Sequence, residues 1–262
     1  MSYLLVERSA GVARVTLNRP DVRNAFDDVL IAELMAAFAN IGADNSVRVL
    51  VLAGAGPAFC AGADLNWMKR MAGYSYNENL ADARALAEML AMLDRMPKPT
   101  IARVHGPVFA GGTGLVAACD IAVGTPQAKF CLSEAKLGLS PATISPYVIR
   151  AMGERLARRY FHTAEVFDAE EAYRIGVLSL LTAPEKLDEA IDSLIAHLLD
   201  GGSEAHARIK ELIRAVAGRP VDGELVAETA RRIAEIRVSS EGREGIASFL
   251  EKRKPTWASK KR

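Results

Sequence analysis

Cysteine is scarce: Cys60, Cys119 and Cys131 are the three in 262 residues. They are scattered, and no CxxC or Cys/His zinc spacing is present, which excludes a disulfide framework and a zinc site. The usage fits a reducing compartment. Charge of one sign is also lacking. Lys plus Arg is 33 and Asp plus Glu is 32, a net charge of +1. No global field exists, so nucleic-acid binding by bulk charge is disfavoured, and any anion must be held by a local cluster. Long apolar runs are missing too. The longest uncharged stretch with real apolar content, Gly106 to Cys119, is too short and too rich in glycine for a membrane span. The N-terminus shows no basic segment before an apolar core, so no secretory leader is read. The expectation is a soluble cytoplasmic protein with no membrane partner.

What is present is an ordinary folding composition, 50% hydrophobic and 25% charged, which excludes global disorder. Leu4 to Glu7 and Val12 to Leu17 read as strands around a Ser9-Ala10-Gly11 turn. Leu30, Leu34, Ala37, Phe38 and Ile41 have helical spacing. Val47 to Leu52 reads as a buried strand. Asn79 to Met96 reads as a long helix stopped by Pro97 and Pro99. Strands follow at Thr100 to Val104, Asp120 to Val123 and Lys129 to Leu132. Between the first two lies a glycine-rich turn, Gly106 to Gly114, opening a short apolar helix. After about residue 145 helical patterns dominate, beginning around Gly153 to Phe161. Strand signals nearly vanish after Val177 to Leu181, and Ser239 to Arg243 reads as a late turn. The fold class is therefore α/β followed by an α-helical region.

Three segments can carry chemistry. Phe59-Cys60-Ala61-Gly62-Ala63-Asp64-Leu65 follows a strand and precedes a helix. Its small residues let a ligand approach the backbone. Gly106-Pro107-Val108-Phe109-Ala110-Gly111-Gly112-Thr113-Gly114 does the same, and is neither GxGxxG nor a P-loop. Two such loops, each offering a backbone N–H, can form an oxyanion hole, although each alone reads as a turn. In the third segment, Ser133 to Pro141, Glu134 is a candidate general acid/base, yet an isolated Glu is more often a solvated residue. Cys60 has no His/Asp constellation beside it and reads as packing. His105 reads as structural. Trp67, Met68 and Tyr147 read either as pocket lining or as core. The tail from Lys252 to Arg262 carries six basic residues and no acid. It reads as a solvated terminus or as a phosphate contact, with nucleic acid the weakest alternative.

Taken together and in order, these stretches resemble the enoyl-CoA hydratase/isomerase, or crotonase, family. The resemblance rests on LNRPDVRNAF at 17–26, FCAGADL at 59–65, HGPVFAGGTGLVAACDIAVG at 105–124 and SEAKLGL at 133–139. ARRYFHTAEVFDAEEAYRIGVL at 157–178 and FLEKRKPTW at 249–257 agree as well. It covers essentially the whole chain. The run from Ser133 to Val148 is most similar to the bacterial methylglutaconyl-CoA hydratase subgroup, which belongs to leucine and acyclic-terpene degradation. The resemblance implies a spiral of ββα units over residues 1–195 and a C-terminal helical region over 196–262 that mediates trimers, often paired into hexamers. It implies an acyl-CoA thioester substrate that brings its own coenzyme A, with no further cofactor and no metal. It assigns the Ala63 and Gly111 N–H groups to the thioester oxygen. Arg23, Asn24 and Ala25, with Ala61, Asp64 and Leu65, are assigned to the adenine and pantetheine end. Glu134 is assigned as acid/base.

One departure stands out. Family hydratases commonly carry two glutamates, and the first lies three residues after the oxyanion glycine. Here that position is Gly114. Three explanations are open: a hydratase whose glutaconyl-type substrate brings its own carboxylate, a Δ3,Δ2-enoyl-CoA isomerase working with one Glu, or a CoA-thioester or RNA binder with little activity. A glutamate placed at 114 is expected to raise activity on unsubstituted enoyl-CoA if ordinary hydratase geometry is latent.

Overall fold

The computed structural model describes residues 2–258. The chain opens on a hairpin of β1 (Leu4–Ser9) and β2 (Val12–Leu17). Ala10 and Gly11 at its turn both have positive φ, 50° and 82°. That is the twist a two-residue hairpin loop requires. The chain continues through α1 (Asp28–Ala43), β3 (Val49–Gly54), α2 (Leu65–Met71), α3 (Tyr76–Asp94) and β4 (Thr100–Val104). Then come β5 (Pro107–Phe109), α4 (Gly111–Ala118), β6 (Ile121–Gly124) and β7 (Lys129–Cys131). The remainder is α5 (Ser145–Met152), α6 (Glu154–Thr163), β8 (Phe167–Asp168), α7 (Ala169–Arg174), β9 (Leu180–Leu181), α8 (Leu187–Asp200), α9 (Ser203–Val216), α10 (Gly223–Val238) and α11 (Ser240–Leu250).

The larger sheet has strand order β1-β2-β3-β4-β6-β9. Only β1 runs antiparallel to its neighbour. β3 is buried along its whole length, as a strand covered on both faces must be. Its residues divide by the period of two: Leu50 and Leu52 join the main core with α1, α3 and α4, whereas Val49 and Val51 pack against Leu187, Ile191 and Ile195 of α8. The boundary expected between residues 195 and 196 thus falls inside α8, a helix packed on the sheet.

A second sheet, β5-β7-β8, positions the candidate site. β5 and β7 are parallel, with Phe109 opposite Cys131. Two isolated parallel bridges, Cys60 with Val108 and Phe26 with Ala63, extend this layer. The segments at 24–26, 60–63, 108–111 and 130–134 therefore run side by side and emerge at one edge.

Several local expectations are corrected. The glycine-rich turn contains β5, three residues that pair too briefly to show alternation. Helix begins at Ser145, before the expected Gly153. That glycine (φ 78°) instead separates α5 from α6. The Val177 to Leu181 run pairs only at Leu180 and Leu181, because Val177 and Leu178 are spent on the core. The late turn shrinks to Ser239, whose side chain caps α11 by accepting the Gly242 N–H.

Candidate active site

The first donor is set by a planar peptide. Phe26 N–H donates to Gly62 O at 2.7 Å, and Asp64 N–H to Phe26 O at 2.7 Å. A trans peptide directs its N–H opposite to its carbonyl, so the Ala63 N–H points away from Phe26, toward the 108–111 side. The second donor follows from helix geometry. The Ala110 carbonyl turns into the first turn of α4 and accepts the Thr113 N–H at 2.9 Å. The Gly111 N–H therefore points outward from the helix N-terminus, where the dipole is positive. Among the described residues neither N–H is donated to a protein acceptor. The loops are in contact: a Cβ on Gly62 would lie 3.3 Å from both Ala110 Cβ and Phe109 O. A Cβ on Gly111 would lie 2.8 Å from the Phe26 ring, and one on Gly112 2.5 Å from Cys60 O. Only glycines permit this approach. Ala110 itself holds φ 47° and ψ −115°, a conformation that is strained for an L residue.

Glu134 begins a short 3-10 turn, Glu134–Leu137, three residues beyond the end of β7. Because β7 lies beside β5, this turn emerges next to Gly111. Two buried side-chain polar atoms lack a hydrogen-bond partner among the described residues: Glu134 Oε2 and His105 Nδ1. Buried polar groups are normally satisfied, so an orphaned carboxylate oxygen on the turn that follows β7, the strand paired with β5, makes Glu134 a candidate functional group. Burial raises the Glu134 carboxyl above its ordinary value.

The family match fits this geometry. The family model described as Enoyl-CoA hydratase/isomerase covers residues 7–260. The chain belongs to the enoyl-CoA hydratase/isomerase family. It is 44% identical to an enoyl-CoA hydratase from Shewanella pealeana of known crystal structure, with a TM-score of 0.95 over 97% of this chain and 96% of that one. It is 36% identical over 255 residues to the enoyl-CoA hydratase AFT6-1 of Alternaria alternata, covering 95% and 82% of the two chains. It is 30% identical over 262 residues to the 1,2-epoxyphenylacetyl-CoA isomerase of Escherichia coli K12, covering 99% and 100%. The fold is thus the crotonase fold, and hydration or isomerisation of enoyl-CoA thioesters is the family's general chemistry.

The residues expected at the coenzyme A end are brought together. The Ala61 N–H donates to Arg23 O at 3.0 Å, and Arg23 and Asn24 both adopt the left-handed conformation, at φ 53° and 57°. Their side chains divide into two groups. Asn24 is fully buried and consumed internally: its amide donates to Ala55 O and Ala58 O at 2.8 Å each, and its Oδ1 accepts the Arg19 N–H at 2.8 Å. Asp64 caps α2 through the Asn66 and Trp67 N–H groups. Ala25 is buried. What this loop pair offers outward is backbone, the exposed Arg23 and Leu65, and the half-buried Ala61.

Arg19 organises both loops, and the sequence reading passed over it. Its guanidinium is 3.0 Å from both Asp27 and Asp64, donates to Ala25 O, and lies 4.4 Å above the Tyr3 ring. The signal available was two carboxylates at helix starts with one arginine between strand and helix. Burial pushes Asp64 up, but the Asn66 and Trp67 N–H groups and Arg19 outweigh it, and the net direction is down.

Gly114 lies in the interior of α4, buried, with Ile144 across from it. A Cβ at 114 would sit 2.3 Å from Ile144 Cγ2 and 2.8 Å from its Cβ. The space for a first glutamate is filled by an apolar side chain. Burial raises the Cys60 thiol to about 12, so it is no nucleophile at neutral pH. His105 Nε2 donates to Gly56 O at 2.9 Å, supporting the loop that Asn24 also holds. Trp67 is buried in the core, its indole donating to Asp82. Met68 is half-buried and Tyr147 packs against the core. No metal-binding group of His, Cys, Asp and Glu occurs among the described residues. No helix among them is long and apolar enough to cross a membrane. In the basic tail, Arg253 pairs with Glu244 and Glu251, while Lys260, Lys261 and Arg262 lie outside the described residues.

Proposed function

We propose that the chain hydrates and dehydrates a glutaconyl-type enoyl-CoA, of the 3-methylglutaconyl class, with Glu134 as the one protein carboxylate in the reaction. The observation that carries this reading is the buried, unpartnered Glu134 Oε2, on the turn after the strand paired with β5, with Ile144 where a second glutamate would stand.

Addition of water to the enoyl double bond places negative charge on the thioester oxygen as an enolate. Two fixed N–H donors favour that charge over the neutral ground state, and one such donor is worth roughly 3–4 kcal/mol. The coenzyme A arrives with the substrate. Water attacks C3, and its departing proton passes to the distal carboxylate of the substrate. Glu134 in its protonated form delivers a proton to C2 as the enolate collapses. The proton on the product's distal carboxyl then returns through solvent to Glu134, so the net change is one water added across one double bond.

The filled space at Gly114 favours a second reading, Δ3,Δ2 isomerisation. Here Glu134 removes a proton from C2, the oxyanion hole holds the dienolate, and the same carboxyl returns the proton at C4. The trimeric or hexameric assembly implied by the resemblance remains part of the proposal. Ile209, Ile213 and Ile233 of α9 and α10 are 47–59% exposed and would be covered in it.

The test is an assay on purified protein with 3-methylglutaconyl-CoA and crotonyl-CoA, following loss of the conjugated enoyl thioester, beside a 3-enoyl-CoA isomerisation assay. Turnover of the first with little of the second supports the carboxylate-bearing substrate. Silence on both with isomerisation present moves the assignment to the second reading. Silence in all three discards the enzyme reading.

A further inference from the structure

The turn that carries Glu134 is fastened to the rest of the protein at one polar point. Its own backbone closes it: Lys136 N–H donates to Ser133 O at 3.1 Å and Leu139 N–H to Glu134 O at 3.0 Å. Among the described residues, one hydrogen bond joins residues 133–139 to another element. It runs from Lys136 Nζ to Ala164 O at 2.6 Å. In a 3-10 turn three residues complete one revolution, so residues 134 and 136 leave it in different directions. Glu134 turns its Oε2 into a buried position and Lys136 reaches to the end of α6.

Its acceptor is well placed for a cation. Ala164 caps the C-terminus of α6 in the left-handed conformation, φ 47°. Carbonyls there carry the negative end of the helix dipole, and an ammonium is favoured beside them. The same carbonyl lies 3.5 Å from Cys131 Sγ. The carbonyl of Cys131 in turn accepts the Ala110 N–H at 2.8 Å, on the residue before the Gly111 donor. One oxygen thus connects the carboxyl-bearing turn with the strand end that orients an oxyanion donor.

We propose that Lys136 is a positioning residue for Glu134, holding the turn at the C-terminal end of α6 so that the carboxyl keeps its place beside the Gly111 N–H. The proposal rests on the reading of Glu134 as acid/base. Lys136 is an exposed residue outside the hydrophobic core, so its replacement leaves the core untouched.

The experiment compares wild type, Lys136→Met, Lys136→Gln, Lys136→Arg and Glu134→Gln on whichever of 3-methylglutaconyl-CoA and 3-hexenoyl-CoA the wild type turns over. Displacement of a reacting group by about 1 Å costs on the order of 10²-fold in rate. Lys136→Met is therefore expected to lower kcat by about 10- to 100-fold with KM within about twofold. The limb of the kcat–pH profile that reports Glu134 should move to lower pH as water reaches the carboxyl. Lys136→Arg keeps a cation at the Ala164 carbonyl and should recover most of kcat. Lys136→Gln, which adds no apolar surface, guards against misfolding of the Met variant and should behave like it. An unchanged kcat in both neutral variants overturns the proposal. So does a loss that Arg does not rescue, or one that leaves the pH profile in place. Glu134→Gln separates the two levels. If it keeps turnover, the reading of Glu134 fails. If it is silent while Lys136→Met works normally, only the role of Lys136 falls.

Discussion

Filling position 114 tests both the packing and the one-carboxylate chemistry. Gly114 sits inside α4, where alanine is intrinsically better by about 1 kcal/mol. In open space Gly114→Ala would stabilise the protein by that amount. Here the added Cβ would stand 2.3 Å from Ile144 Cγ2 and 2.8 Å from Ile144 Cβ, with the Ile144 backbone next, at 3.7 Å. Cγ2 is one bond from a β-branched centre and has no free rotation to escape. Overpacking of this kind costs typically 1–3 kcal/mol, and here it outweighs the propensity gain. The expected result is a net loss of up to about 2 kcal/mol, or up to about 8 °C in Tm for a chain of this size.

The same distances dictate the rescue. Ile144→Ala leaves the offending Cβ in place, so Gly114→Glu/Ile144→Ala should remain strained. Ile144→Gly removes it, and residue 144 is the N-cap of α5, where glycine is well tolerated. Gly114→Glu alone is therefore expected to lose stability and gain no hydration of crotonyl-CoA. Gly114→Glu/Ile144→Gly should regain stability relative to the single variant and acquire crotonyl-CoA hydration, since a general base contributes about 10²–10⁴-fold. Calorimetry and the decrease in enoyl-thioester absorbance read both arms. A Gly114→Glu protein with unchanged Tm and new crotonyl-CoA activity would falsify the packing account of this position.

Glu134→Gln should abolish most turnover while leaving CoA-ester binding nearly intact, as read by titration calorimetry beside the kinetics; unchanged turnover removes Glu134 from the chemistry. The same variant should be the more stable wherever Glu134 is ionised, because an uncharged amide costs less than a carboxylate where one oxygen has no partner. Because the folded-state pKa of Glu134 is raised, the protonated form's contribution is lost as pH rises through that value. The Tm advantage of Gln should thus be full above it and vanish below the ordinary glutamate range. Arg19→Met leaves Asp27 and Asp64 facing one another without their cation and should cost about 3–5 kcal/mol in denaturant melts; a loss under 1 kcal/mol would show the triad to be dispensable. Ala110→Gly relieves the φ 47° backbone and should raise stability by about 1 kcal/mol, and a lowered Tm would refute the strain.

The parts legible in the sequence were those with long periods or close spacing. The β1–β2 hairpin, α1, α3 and the helical C-terminal region carry strong patterns, and each is present within a few residues of expectation. β5, β8 and β9, at two or three residues, are too short for alternation and exist because a neighbour pairs with them. The site divides in the same way. Ala63 and Gly111 are assigned through the family resemblance and Glu134 through its segment, and the chain order of those segments is what makes the parallel edge on which they lie. Asn24 and Asp64 carry polar side chains that a sequence reading assigns to a ligand, yet both are turned inward to hold the loops. Nothing local distinguishes a polar residue that binds from one that braces, since the difference is set by Arg19, 45 residues from Asp64 in the chain. Ile144 was invisible for the same reason. Its significance comes from the absence of a side chain 30 residues earlier, and a missing glutamate in the sequence becomes a filled space only when α4 and α5 are seen against each other. The structure thereby strengthens the one-carboxylate reading. Ile144 packs into the space that a side chain at 114 would need, and the proposed chemistry at this edge therefore rests on Glu134 and on what the substrate brings.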